Sequence, residues 1–148
     1  MGASTSMSPG LEFAVVWHDE DVLQVRVCAS TGSFSGAADV YCDHESPQAW
    51  AACLTGFPTT PGDQRELRLG APGPGYAGGS AVLRFRTVDR AGHAEVRLEI
   101  EAEPSDRPNS QRVELNLTVE AAGIDRFVAA LAKLSRTDVG PVVLSHAQ

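Results

Sequence analysis

From Ala94 to Glu103 every even-numbered side chain is apolar and every odd-numbered one is charged. From Arg112 to Ala121 the period of two returns with the parity reversed, so Val113, Leu115, Leu117 and Val119 are the apolar members. A helix cannot produce this pattern, because its apolar residues recur every three or four positions. A strand with one face on a core and the other in water produces it directly. One-faced strands belong to antiparallel sheets, since parallel sheets bury both faces and read as continuous apolar runs.

The same rhythm organises the first half of the chain. Leu11, Phe13, Val15 and Trp17 alternate, the acidic run His18-Asp19-Glu20-Asp21 interrupts, and Leu23, Val25, Val27 and Ala29 resume, which predicts a hairpin. A weaker strand follows over residues 34–42. Ser46-Pro47 then reads as a helix start, with a hydroxyl cap and a proline where its missing N–H costs nothing. Trp50, Cys53, Leu54 and Phe57 supply that helix's apolar stripe, and Gly56 and Pro58 end it. Short strands are expected at Glu66–Leu69 and over residues 81–88. Between them, Gly70–Gly79 holds five glycines and two prolines and reads as a long loop. After the two alternating runs, Ile124, Phe127, Val128, Leu131 and Leu134 switch to helical spacing. Val142–Leu144 is either a last edge strand or an anchored tail. The expectation is an α+β fold: one antiparallel meander of six to seven strands with two helices packed on one face. A chain of 148 residues suits a single domain over residues 11–148, with residues 1–10 as a disordered leader.

Charge narrows the partners. Nineteen acidic residues against twelve basic ones give a net charge of −7, which disfavours nucleic acid and anionic membranes and favours a basic protein. No run of about 18 apolar residues is present to span a bilayer. Cys28, Cys42 and Cys53 are an odd set with no signal peptide before them, which points to the reducing cytoplasm. The start Met1-Gly2-Ala3-Ser4-Thr5-Ser6 fits an N-myristoylation pattern, but no polybasic patch supports it. Eleven of the twelve cations are arginine, a bias typical of GC-rich bacteria.

Each candidate for chemistry lacks a necessary part. Gly73-Pro74-Gly75-Tyr76-Ala77-Gly78 has the glycine spacing of a dinucleotide loop, yet a strand follows where a helix must open. Cys42-Asp43-His44-Glu45 offers metal ligands without the paired spacing of a zinc site. Cys28 or Cys42 could meet His44 or His93 as a nucleophilic pair, but nothing orients them. His18-Asp19-Glu20-Asp21 lacks the glycine and distal glutamate of a calcium loop. Asn116-Leu117-Thr118 is a glycosylation sequon placed mid-strand. No catalytic residue, cofactor or metal is therefore assigned. The feature that points outward is a row of carboxylates, Glu95, Glu99, Glu101, Glu103, Glu114 and Glu120, on the polar parity of two successive strands. If those strands pair, their wet faces merge into an acidic patch, interspersed with Arg97 and Arg112, that could steer a basic partner.

The layout as a whole adds a comparison. The early hairpin, the short helix around Ser46–Trp50, Glu66–Leu69, the meander and the closing run Gly123–Leu131 resemble small bacterial proteins of unknown function. They also resemble the immunity proteins of WapI-type polymorphic toxins. That resemblance implies a non-enzymatic protein that binds and neutralises a partner, with no motif residues to transfer. The alternative is a small-ligand-binding or enzymatic domain with its site under the loop at Gly70–Gly79, near Tyr76 and bordered by His44 or His93. A third reading is self-association through an edge strand.

Overall fold

The computed structural model describes residues 8–70, 78–102 and 111–147. Its elements run β1 (Gly10–His18), β2 (Leu23–Ser30), β3 (Ser35–Cys42), α1 (Ser46–Leu54), β4 (Gln64–Gly70), β5 (Ser80–Thr87), β6 (His93–Glu101), β7 (Arg112–Glu120), α2 (Ala121–Leu131) and β8 (Val142–Ser145). The α+β class and the antiparallel pairing are as the alternation predicts. The single meander is not. The strands divide into two four-stranded sheets, ordered β3-β2-β1-β8 and β4-β5-β6-β7. Helix α1 separates the two meanders, and β8 returns to pair with β1 rather than extending the second sheet. Alternation reports which face of a strand is buried, not which neighbour it bonds to, and so could not separate one sheet from two. Gly10, expected in the leader, is the first residue of β1, and Glu103 with most of the Gly70–Gly79 loop lies outside the described residues.

The two apolar faces look inward on a shared core. Val96, Leu98, Leu115, Leu117 and Val119 of the second sheet are buried, as are Leu11, Phe13, Leu23, Val25 and Val27 of the first. Strand β3 packs across all four strands of the second sheet. A Cβ at Gly36 would overlap the Val113 side chain, so glycine is what allows β3 to pass that close to β7. The helices contribute Trp50, Ala51 and Leu54 from α1 and Ile124, Phe127 and Leu131 from α2. They do not lie on one sheet's face. α1 packs on β4, while α2 reaches β7 of one sheet and β8 of the other. Cys53, expected on the α1 stripe, is exposed, and its thiol donates to the Glu66 carbonyl at 3.4 Å; Ala51 takes the inward place. Ser46 opens α1 without capping it, its hydroxyl accepting instead from the Asp43 N–H at 3.1 Å.

Strand edges are occupied at several points. The Asp39 carbonyl of β3 accepts from Gly79 N–H at 2.7 Å. On β7, Thr118 N–H donates to His146 Nδ1 at 3.0 Å and its carbonyl accepts from Ala147 N–H at 2.6 Å. His146 N–H in turn reaches the Pro9 carbonyl at 3.0 Å, so the C-terminal segment links the two sheets. Such contacts restrict edge-to-edge pairing.

Phe13 is the centre of the helix seat, with Trp50 edge-on at 5.9 Å and Phe127 edge-on at 5.5 Å between ring centroids. Phe13→Ala is expected to lower unfolding free energy by about 3–5 kcal/mol. Phe34→Ala, at a side chain 70% exposed, should stay within about 0.5 kcal/mol. Chemical denaturation of the two variants checks both values.

Candidate partner-binding surface

Strands β6 and β7 do pair, with Glu99 opposite Glu114 and His93 opposite Glu120. Their outer face, however, continues onto β4 and β5, and those strands carry arginine. Arg68 Nε lies 2.6 Å from Glu66, whose second oxygen meets Arg84 Nε at 2.9 Å. Arg84 reaches Glu99 at 3.2 Å, Arg112 joins Glu99 at 3.3 Å to Glu114 at 3.2 Å, and Arg97 closes on Glu114 at 3.3 Å. This chain of alternating charge crosses all four strands, and Arg86 pairs with Glu95 at 3.2 Å beside it. Hydrogen bonds from Arg68 and then Arg84 hold the Glu66 carboxyl below its ordinary range. Among the described residues this face therefore sets Glu66, Glu95, Glu99, Glu101, Glu114 and Glu120 against Arg68, Arg84, Arg86, Arg97 and Arg112. The arginines of β4 and β5 were legible as polar-parity residues, but their neighbours follow only from strand order.

The first sheet presents a different outer face. A bulge between Val15 and Trp17 shifts the β1–β2 register by one, pairing Trp17 with Gln24. An extra residue in one strand reverses the facing of everything beyond it. Trp17, expected inward, is consequently 49% exposed. Gln24 also pairs with Tyr41 on its other side, so Trp17, Gln24 and Tyr41 form one row across β1, β2 and β3. The sequence held a signal for this, since residues 14–17 are all apolar and break the period of two. Behind that row, Arg26 closes on Asp39 with contacts of 2.8 and 3.1 Å, and Gln24 Nε2 donates to Asp39 at 2.9 Å. The centre of the face is thereby neutralised.

The row ends at two acidic turns. In the β1–β2 turn, Asp19 Oδ1 accepts from Asp21 N–H at 2.9 Å and Val22 N–H at 2.8 Å, which fixes the loop and lowers the Asp19 pKa. The β3–α1 turn is tied to it by His44 Nε2, 2.9 Å from the Asp19 carbonyl. Asp19, Glu20, Asp21, Asp43 and Glu45 thus belong to two linked turns, and no Arg or Lys forms an ion pair with them among the described residues.

The other chemical candidates resolve as follows. No group of three or more His, Cys, Asp or Glu with metal-holding geometry occurs among the described residues. Burial pushes the Cys42 thiol up to about 11 and raises Cys28 as well, so both stay protonated at neutral pH. Tyr76 lies outside the described residues. His44 serves the acidic turns, whereas His93 sits beside the Thr87 end of β5, away from Ser80 where that strand begins. Compared with family models, curated proteins and solved structures, the chain matches none.

Arg26, then Gln24, holds the Asp39 carboxyl below its ordinary range. A carboxyl depressed in the folded state contributes stability above its unfolded pKa of about 3.9. That contribution is lost as pH falls through the lower folded value. Asp39→Asn should therefore flatten the decline of melting temperature between about pH 5 and pH 2 relative to wild type. Thermal melts across that range provide the measurement.

Proposed function

We propose that this chain is a non-enzymatic binding protein for a basic protein partner, docked on the outer face of the first sheet at its acidic end. The bulge that turns Trp17 out beside Gln24 and Tyr41 carries this reading. A large aromatic exposed on a rigid strand is the kind of anchor that dominates interface energetics, and bulges recur where a side chain must be re-aimed. The linked turns contribute the electrostatic half. Their five carboxylates lack ion-pair cations among the described residues, and a partner's lysines and arginines complement them. The carboxylates Glu95, Glu99, Glu101, Glu114 and Glu120 on the second sheet belong to a face whose arginines already offset most of their charge, which makes it the weaker attractor.

The resemblance to WapI-type immunity proteins fits a protein that neutralises its target by covering it. A bacterial cytosolic setting accords with three free cysteines, Cys28, Cys42 and Cys53.

Affinity capture from the native host separates the two faces. One stoichiometric, basic partner is expected on the wild-type chain and on a second-sheet variant carrying E95Q, E99Q and E114Q. Trp17→Ala should weaken its binding about tenfold or more, and the combination E20Q, D21N, D43N and E45Q should slow association and reduce its salt dependence. Loss of the partner only with the second-sheet variant would move the interface to that face. Capture of no stoichiometric partner would overturn the binding-protein reading.

A further inference from the structure

At the other end of the second sheet, the loop after α1 and the β5–β6 turn enclose an open cleft of about 410 Å³. That volume lies in the range of small-molecule sites. Pro58, Pro61, Ala94 and Ala121 give it apolar walls, and Asp89, Arg90 and His93 give it charge.

The turn is held in place from several directions. Asp89 Oδ1 accepts from Ala91 N–H at 2.8 Å and His93 N–H at 3.2 Å. Gly92, at φ +89°, adopts the left-handed conformation that a side chain would oppose, and its carbonyl receives Ala121 N–H at 2.8 Å. The second Asp89 oxygen lies 2.8 Å from His93 Nδ1. Backbone donation from His93 is the largest influence keeping the Asp89 carboxyl below its ordinary range, so it is ionised and can only accept. Nδ1 must then carry the hydrogen, and in the neutral ring Nε2 is left as an acceptor open to a donor. Asp89 is the one carboxylate that lines the cleft among the described residues. Arg90 has no ion-pair partner among the described residues.

We propose that this cleft binds a free α-amino acid with an apolar side chain. Its carboxylate is taken by Arg90, its ammonium group donates to His93 Nε2 beside Asp89, and its side chain lies between Pro58 and Pro61. The mixed charge selects the zwitterion. A simple anion would meet Arg90 but also the Nε2 lone pair and the Asp89 carboxylate, and a simple amine would leave Arg90 unmatched.

The site is separate from the partner surface, so the two can be tested independently. The probe is L-leucine, titrated into the full chain and followed by NMR at the His93 and Gly92 resonances. Saturable shifts with a Kd of about 1 mM or tighter are expected. Isocaproate, which lacks the ammonium group, and leucinol, which lacks the carboxylate, should each bind at least about tenfold more weakly. Arg90→Ala should abolish the preference for leucine over leucinol, and Asp89→Asn, which frees the ring, should weaken leucine. Trp17→Ala should leave leucine binding unchanged. Absence of saturation at about ten times that concentration overturns the proposal, as does isocaproate binding as tightly as leucine.

Discussion

Both helices and the first sheet converge on one side chain, the ring of Phe13. It projects from β1, which is bonded to β2 on one side and β8 on the other. Trp50 and Phe127 meet it edge-on from α1 and α2. A second aromatic contact, Phe57 to Phe85 at 6.0 Å, joins the loop after α1 to the other sheet. Edge-to-face rings add directional attraction to the area they bury. They therefore hold the helices in register between sheets that would otherwise present smooth aliphatic faces. The four buried phenylalanines account for the largest fully buried side chains, so the placement of the helices depends on few residues.

With the apolar faces committed inward, the outer faces are free to differ, and they do. The second sheet carries a lattice of arginine and glutamate in which Glu66, Glu95, Glu99 and Glu114 each meet an arginine of their own or a neighbouring strand. Exposed pairs of this kind contribute little to stability, and the register sets like charges opposite each other at Arg84–Arg97 and Glu99–Glu114, where the diagonal ion pairs to Glu66, Glu99 and Glu114 offset the repulsion. The first sheet carries one exposed pair among the described residues, Arg26 with Asp39, and shares its remaining outer face among Glu12, Gln24, Val143, Trp17, Tyr41 and small residues. Net acidity on this molecule is therefore not where the sequence shows most glutamates. It concentrates where the carboxylates lack arginine neighbours, at the turns around Asp19–Asp21 and Asp43–Glu45.

The inward face of nearly every strand was legible from alternation, because that pattern is a direct consequence of the pleat. Val96, Leu98 and Leu115 are buried as it requires. Sheet count was not legible. Each strand offers two edges of identical backbone chemistry, and the choice of β1 for β8 depends on three-dimensional closure. The same limit applies to the Glu row: its residues and their shared face could be read, but Arg84 and Arg68 enter it only through the neighbours that β5 and β4 acquire. Trp17 failed for a local reason. A bulge changes parity with one inserted residue, and four consecutive apolar residues at 14–17 allow either phase. His93 and Asp89 were visible as single polar residues near a turn, while the hydrogen bonds that orient the ring required coordinates.

Among the described residues, the bulge at Val15–Trp17 and the turn at Asp89–His93 both arrange side chains beyond what packing needs. At Val15–Trp17, a regular strand would have buried the indole and matched its neighbours; the bulge gives up that burial, of the order of 1.5–3 kcal/mol for a large apolar side chain. At Asp89–His93, a tight turn needs only the glycine, yet Asp89 spends both oxygens in orienting the backbone and the imidazole. Departures from local consistency that stability does not explain tend to mark functional positions. Here one exposes an aromatic beside carboxylates without ion-pair cations, and the other fixes His93 at the wall of a cleft that Arg90, without an ion-pair partner among the described residues, also lines. The two share no residue, and Trp17 and Arg90 both lie outside the buried core, so each can be altered without disturbing the core on which both stand.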